Sequence, residues 1–162
     1  MSTPKWILLA EDNANDAELA LRALSVNQAS GDVIVVCDGA EALDCLHRRG
    51  DYQGRHASNP AVVMLDLKMP KVNGLEALQQ IKTDARLKNI PVVMFTSSRE
   101  ETDVARSYEF GANAYVVKPV DFKQFISVVK DLRRYWMIIN EPPPAQLVDK
   151  AIPSAMQLAA AV

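Results

Sequence analysis

The stretch Ala61-Val62-Val63-Met64-Leu65-Asp66 is an unbroken apolar run that ends in a single carboxylate and passes into a turn shaped by Pro70 and Gly74. It has no polar alternation and carries β-branched residues, so it reads as a strand covered on both faces, the kind that parallel sheets contain. Asp66 then stands at the carboxyl end of a buried strand. In an open parallel α/β sheet that edge is where ligands and chemistry collect. Taken alone, an aspartate in this position is more often a turn cap.

Other apolar runs end in the same way. Lys5 to Ala10 stops at Glu11, Asp12 and Asn13; Ile90 to Phe95 stops at Thr96, Ser97 and Ser98; Ala114 to Val117 stops at Lys118 and Pro119. Helical patterns separate them. Ala17, Ala20, Leu21 and Leu24 share one face, and a polar break over 27–32 leads to a strand from Val33 to Cys37. The pairs Asp38 and Glu41, Asn73 and Glu76, Ser98 and Glu101, and Asp121 and Gln124 have the spacing of capping boxes that open helices. Leu75, Leu78 and Ile81 form the buried side of the helix after Asn73, and Gly111 is placed to cap the helix that Ser98 opens. In the last helix Phe122, Phe125, Ile126, Val129, Leu132 and Trp136 form a stripe. The segment from Arg48 to Pro60 has no apolar period and reads as a long exposed loop.

Five strands alternating with five helices allow every connection to be a right-handed crossover. Acids after the first and third strands place these two as neighbours where the strand order reverses. The expected fold is therefore a flavodoxin-like, doubly wound α/β sheet of five parallel strands in the order 2-1-3-4-5. At 162 residues, 49% hydrophobic and 23% charged, the chain is of ordinary globular composition and long enough for one well-buried core. A net charge of -2 and a pI near 5.7 supply no basic footprint for nucleic acid. No signal-peptide or membrane-length apolar segment is present, so a cytoplasmic protein without membrane partners is expected. Cys37 and Cys45 read as small buried hydrophobes, and His47 and His56 as isolated, solvated side chains.

In the expected sheet Glu11, Asp12, Asp66, Thr96 and Lys118 converge on one edge. Three carboxylates so close require a compensating cation, because like charges raise one another's pKa. Oxygen-only ligands select a hard ion such as Mg²⁺. Together Mg²⁺ and Lys118 would neutralise the acids and await the oxygens of a phosphoryl group. A carboxylate nucleophile beside a metal and a lysine is sufficient equipment for phosphoryl transfer, and Asp66, ending the central strand, is the best nucleophile.

These motifs resemble those of the bacterial two-component response regulator receiver domain, of the single-domain type. The resemblance runs from Lys5 to about Trp136 and is carried by Glu11-Asp12, by Asp66 to Gly74, by Thr96-Ser97 and by Ala114 to Pro119. It implies that Asp66 is the phosphoacceptor and that Glu11, Asp12, Asp66 and the backbone carbonyl of Lys68 hold Mg²⁺. It further implies that Lys118 binds the phosphoryl group, that Thr96 and Tyr115 are the switch residues, and that the bond before Pro119 is cis. Such a protein takes its phosphoryl group from a sensor histidine kinase, signals by protein contact or phosphoryl relay, and catalyses only its own phosphorylation and dephosphorylation. The implied organisation is a receiver domain over 5–140 and a Pro-rich tail over 141–162 without an output domain. Asn73 departs from the family, which commonly has an acid there, but this position caps a helix and leaves the site intact.

The loop from Gly50 to Asn59, the Arg134-Tyr135-Trp136 helix end and the segment from Asn140 to Pro144 resemble response regulators paired with bacterial phytochrome histidine kinases. Apolar residues continue past Trp136 to Ile139, more than one helix stripe can bury. They predict a homodimer through Tyr135 to Ile139, beside the strand that carries Tyr115. Two other classes fit less well. An aspartate-dependent phosphohydrolase needs a general acid two residues after the nucleophile, where Lys68 stands, and a flavin carrier would not place Glu11 and Asp12 against the flavin phosphate.

Overall fold

A computed structural model describes residues 4–25, 32–55 and 58–144. The apolar runs form parallel strands β1 (Ile7–Ala10), β2 (Val33–Val36), β3 (Val62–Leu65), β4 (Val92–Thr96) and β5 (Ala114–Val117). Their order across the sheet is β2-β1-β3-β4-β5, as expected from the acids at the ends of β1 and β3. Helices α1 (Ala14–Leu24), α2 (Gly39–Leu46), α3 (Gly74–Thr83), α4 (Glu101–Glu109) and α5 (Phe122–Arg134) alternate with the strands. Alternate strand residues point to opposite faces and create two apolar layers. Leu8, Ala10, Val63 and Leu65 meet α2 and α3, while Ile7, Leu9, Val62 and Met64 meet α1 and α5.

Capping residues set where most helices begin. Asn73 Oδ1 accepts from Glu76 N at 3.0 Å, and Asn73 Nδ2 donates to the Glu76 carboxylate at 2.6 Å. Asp38 and Asp121 cap α2 and α5 by accepting from Glu41 N and Gln124 N. Ser98 does not cap α4, which starts with Glu100 as its N-cap. Its hydroxyl donates to Asp103 Oδ2 at 2.6 Å, and its oxygen accepts from Glu100 N at 3.3 Å, one residue short of the Glu101 N–H that a capping box requires. At the other end of α4, Gly111 at φ +97° and Ala112 donate to the carbonyls of Tyr108 and Ser107, which is a Schellman cap.

Several sequence expectations change. Cys37 lies one residue past β2 and is exposed, whereas Cys45 is buried in α2. Phe122 is 61% exposed, because the layer over α5 reaches only as far as Phe125, whose ring meets Phe95 at 5.3 Å. The segment after Arg48 contains a short 3-10 turn, Gly50–Tyr52, and Tyr52 packs on the core with its hydroxyl donating to Glu41 at 2.6 Å. His47 is exposed, 3.8 Å from Asp84; His56 lies outside the described residues. No cis peptide occurs among the described residues, so the bond before Pro119 is trans; either form of an X-Pro bond is cheap.

Beyond α5 the chain makes a π-helical turn, Tyr135–Ile139, closed by Asn140 N donating to Tyr135 O. Trp136 is buried, whereas Tyr135, Ile138 and Ile139 remain exposed. This turn is not beside β5. The Lys5 ammonium donates to Met137 O at 3.1 Å, and Arg133 faces Asp32 at 3.9 Å, so the end of α5 lies where β1 and β2 begin. A helix that runs antiparallel to the strands must finish at the pole opposite their carboxyl ends.

Candidate functional site

The strand ladder itself delivers the charged residues. Glu11 N donates to Val36 O at 2.9 Å, Asp66 N to Ala10 O at 3.1 Å and Lys118 N to Thr96 O at 2.7 Å. Each is the first residue past a strand end and continues the pairing by one bond, so the backbone fixes where its side chain leaves the sheet. Glu11, Asp66, Thr96 and Lys118 are all buried, while Asp12 is exposed. Gly74 makes the turn after Asp66 possible: its N–H donates to Leu67 O at 2.8 Å, and an added Cβ would lie 2.0 Å from Asp66 O.

One ammonium holds the acids together. Lys118 Nζ donates to Asp66 Oδ2 at 2.9 Å and to Asp16 Oδ2 at 3.0 Å, and it contacts Glu11 Oε1. Asp16 is the residue that sequence reasoning missed. Its position in the first turn of α1, three residues after the N-cap Asn13, is an ordinary helix-start signal and does not foretell a reach to Lys118.

Burial pushes the Glu11 carboxyl up to about 8, aided by the hydrogen bond it shares with Asp66. Burial acts on Asp66 in the same direction, but hydrogen bonds from Glu11, Lys118 and Thr96 outweigh it and hold its carboxyl below the usual range. Lys118 is desolvated too, yet its bonds to Glu11 and Asp66 keep it charged and above its ordinary value. A proton resting on Glu11 thus leaves Asp66 as the anion, which is the form a nucleophile requires.

Glu11, Asp12 and Asp66 each offer an oxygen, and these atoms all lie within 4.8 Å of one another. An all-oxygen, net negative set with one exposed member fits a hard divalent cation that keeps some of its water. Beside it opens a cavity of about 540 Å³, with Asp12, Lys68, Met69, Pro70, Asn73 and Asp103 on its walls. Lys68, two residues past Asp66, is thus on the wall of this cavity.

Ser98 links the remaining candidates. Its N–H approaches Thr96 Oγ1 at 3.4 Å, its carbonyl accepts from the Tyr115 hydroxyl at 2.9 Å and its own hydroxyl is held by Asp103. Thr96 and Tyr115 are thereby joined through the loop that precedes α4.

Comparison with known proteins gives this arrangement its context. Response regulator Rcp1 of Synechocystis sp. is 36% identical over 134 residues, spanning 83% of this chain and 90% of Rcp1. Its Mn²⁺-bound structure superposes with a TM-score of 0.79 at 35% identity, covering 87% of this chain and 100% of that one. The phosphorylated cyanobacterial phytochrome response regulator RcpA has a TM-score of 0.80 at 37% identity, covering 86% and 99%. The bacteriophytochrome response regulator RtBRR is 55% identical with a TM-score of 0.67, covering 97% and 94%. Residues 7–130 match the response regulator receiver domain, and with the order of its strands and the acids and lysine at their ends, the chain belongs to that family.

Proposed function

We propose that residues 5–140 form a receiver that accepts a phosphoryl group on Asp66 from a sensor histidine kinase. The observation that carries this reading is the Lys118 ammonium set between the buried carboxylates of Glu11 and Asp66, with Asp12 beside them. An Asp66 oxygen attacks the phosphorus of a phosphohistidine. The P–N bond breaks with its electron pair left on the imidazole, and the new P–O bond makes an acyl phosphate. Lys118 neutralises charge on the phosphoryl oxygens, and Thr96 offers its hydroxyl to one of them. Glu11, Asp12, Asp66 and the Lys68 carbonyl are the ligands proposed for Mg²⁺, which when bound offsets the negative charge of donor and acceptor. The protein's catalysis is confined to forming and hydrolysing its own acyl phosphate.

Tyr115 and Thr96 are the proposed switch, since Ser98 connects them to α4. The kinase is proposed to be a bacterial phytochrome, as RcpA is a cyanobacterial phytochrome response regulator and RtBRR a bacteriophytochrome response regulator. No helix among the described residues is long and apolar enough to cross a membrane, and the proposed compartment is the cytoplasm. Asp66→Asn is expected to abolish labelling by a small phosphodonor and by the kinase, read by radiolabel transfer in the presence of Mg²⁺. Undiminished labelling of that variant would refute the assignment.

A further inference from the structure

Lys118 has three N–H donors, and in this structure three carboxylates take them: Glu11, Asp66 and Asp16. These acids differ in what else they can do. Glu11 and Asp66 stand with Asp12 in the cluster whose oxygens lie within 4.8 Å of one another; Asp16 is not in that cluster. A divalent cation recruited there competes with Lys118 for Glu11 and Asp66 but does not touch its bond to Asp16. Two donors are then free for phosphoryl oxygens, while the third keeps its partner.

We propose that Asp16 is a positioning residue for Lys118, the one anchor that stays in place while the other two carboxylates turn to the cation. This rests on the reading of Asp66 as the phosphoacceptor and adds to it a residue from α1. A lysine is a point charge on a flexible four-carbon stem, so a fixed anchor removes part of the ordering cost of meeting the phosphoryl group. Asp16 is well placed to be that anchor, because α1 rather than the site sets its position. Its N–H donates to Asn13 Oδ1 at 3.0 Å, and the positive end of the helix favours its carboxylate. Its side chain is 34% exposed, so water screens its charge from an incoming phosphoryl group, which the buried Glu11 could not achieve.

The test titrates full-length wild type, Asp16→Asn and Asp16→Ala calorimetrically, first with Mg²⁺ alone and then with beryllofluoride, a phosphoryl mimic, at saturating Mg²⁺. Asp16→Ala is expected to bind beryllofluoride about tenfold more weakly, the loss of one charge-assisted anchor. The amide oxygen of Asp16→Asn still accepts from Lys118, so this variant should stay within about threefold of wild type, and Mg²⁺ affinity should move by no more than about threefold in either variant. Asp16→Ala binding beryllofluoride like wild type, even with a lowered melting temperature, would show a helix-start role only and overturn the proposal. So would a fall in Mg²⁺ affinity as large as that for beryllofluoride, or an Asn variant no better than the Ala one. Beryllofluoride binding that survives in Asp66→Asn would instead refute the reading of the site and leave the Asp16–Lys118 contact without that function.

Discussion

Glu11 is the residue at which burial and chemistry pull hardest against each other. Its carboxyl is raised from an ordinary 4.5 to about 8, first by desolvation and then by sharing a hydrogen bond with Asp66. The folded state therefore holds a proton that the unfolded chain gives up. This contribution to stability is complete below about 4.5 and is lost as pH rises through about 8. Asp66 has the opposite sign: its contribution is present above its ordinary 3.8 and is lost only as pH falls through its lowered value. A divalent cation that uses ionised Glu11 displaces the proton, so its protection must grow across the window set by Glu11. Scanning calorimetry in Mg²⁺ and in chelator is expected to show a melting-temperature difference larger by about 3 °C or more near pH 8.5 than near pH 6. An increment that does not change with pH would contradict this account of Glu11.

At the scale of elements, the junction of β3 and α3 depends on Gly74. An alanine Cβ there would lie 2.0 Å from Asp66 O and 2.7 Å from Leu67 Cα, both backbone atoms, so the turn that aims Asp66 must shift. Gly74→Ala is expected to lower stability by about 1–3 kcal/mol in urea denaturation and to slow the labelling of Asp66. Gly54→Ala, at a positive φ but with nothing within 4 Å, should cost about 1 kcal/mol and leave labelling unchanged. Labelling that is equally fast in both variants would count against the role given to the turn. The strand ends are readable from the sequence because a strand buried on both faces must stay apolar, so the first polar residue marks the sheet edge. That logic locates Glu11, Asp66 and Lys118, and the capping boxes at Asp38, Asn73 and Asp121 are equally local. The bond from Asp16 to Lys118 spans 102 positions and follows no local pattern. Ser98 escapes for another reason: its oxygen takes the Glu100 N–H and not the Glu101 N–H, a one-residue shift that depends on where α4 starts. Cys37 and Phe122 are misjudged because their burial depends on how far a neighbouring layer extends.

The whole molecule has two poles. The carboxylates and Lys118 occupy the one at the strand carboxyl ends, where Val120 and Phe122 are also exposed, and at the other lies the apolar surplus of the last turn, with Tyr135 47%, Ile138 72% and Ile139 61% exposed. Covering that surplus with a second copy is the reading we propose for it, and its place at the start of β1 and β2 makes it independent of direct contact with Tyr115. Sedimentation equilibrium is expected to give a dimer at about tens of micromolar and a monomer for the Tyr135→Ala, Ile138→Asp double variant. A wild type that is monomeric throughout that range would remove the dimer. The same polarity determines what the protein can report by its own light. Both tryptophans sit at the far pole, Trp6 just before β1 with its indole N–H on Ser58 O, and Trp136 in the turn whose Met137 carbonyl holds Lys5. A strand of four residues, roughly 13 Å, separates that end of β1 from Glu11. Intrinsic emission is thus shielded from contact quenching by a paramagnetic ion at the acids, and any change on adding metal or phosphodonor would signal a rearrangement carried across the sheet or a change of assembly.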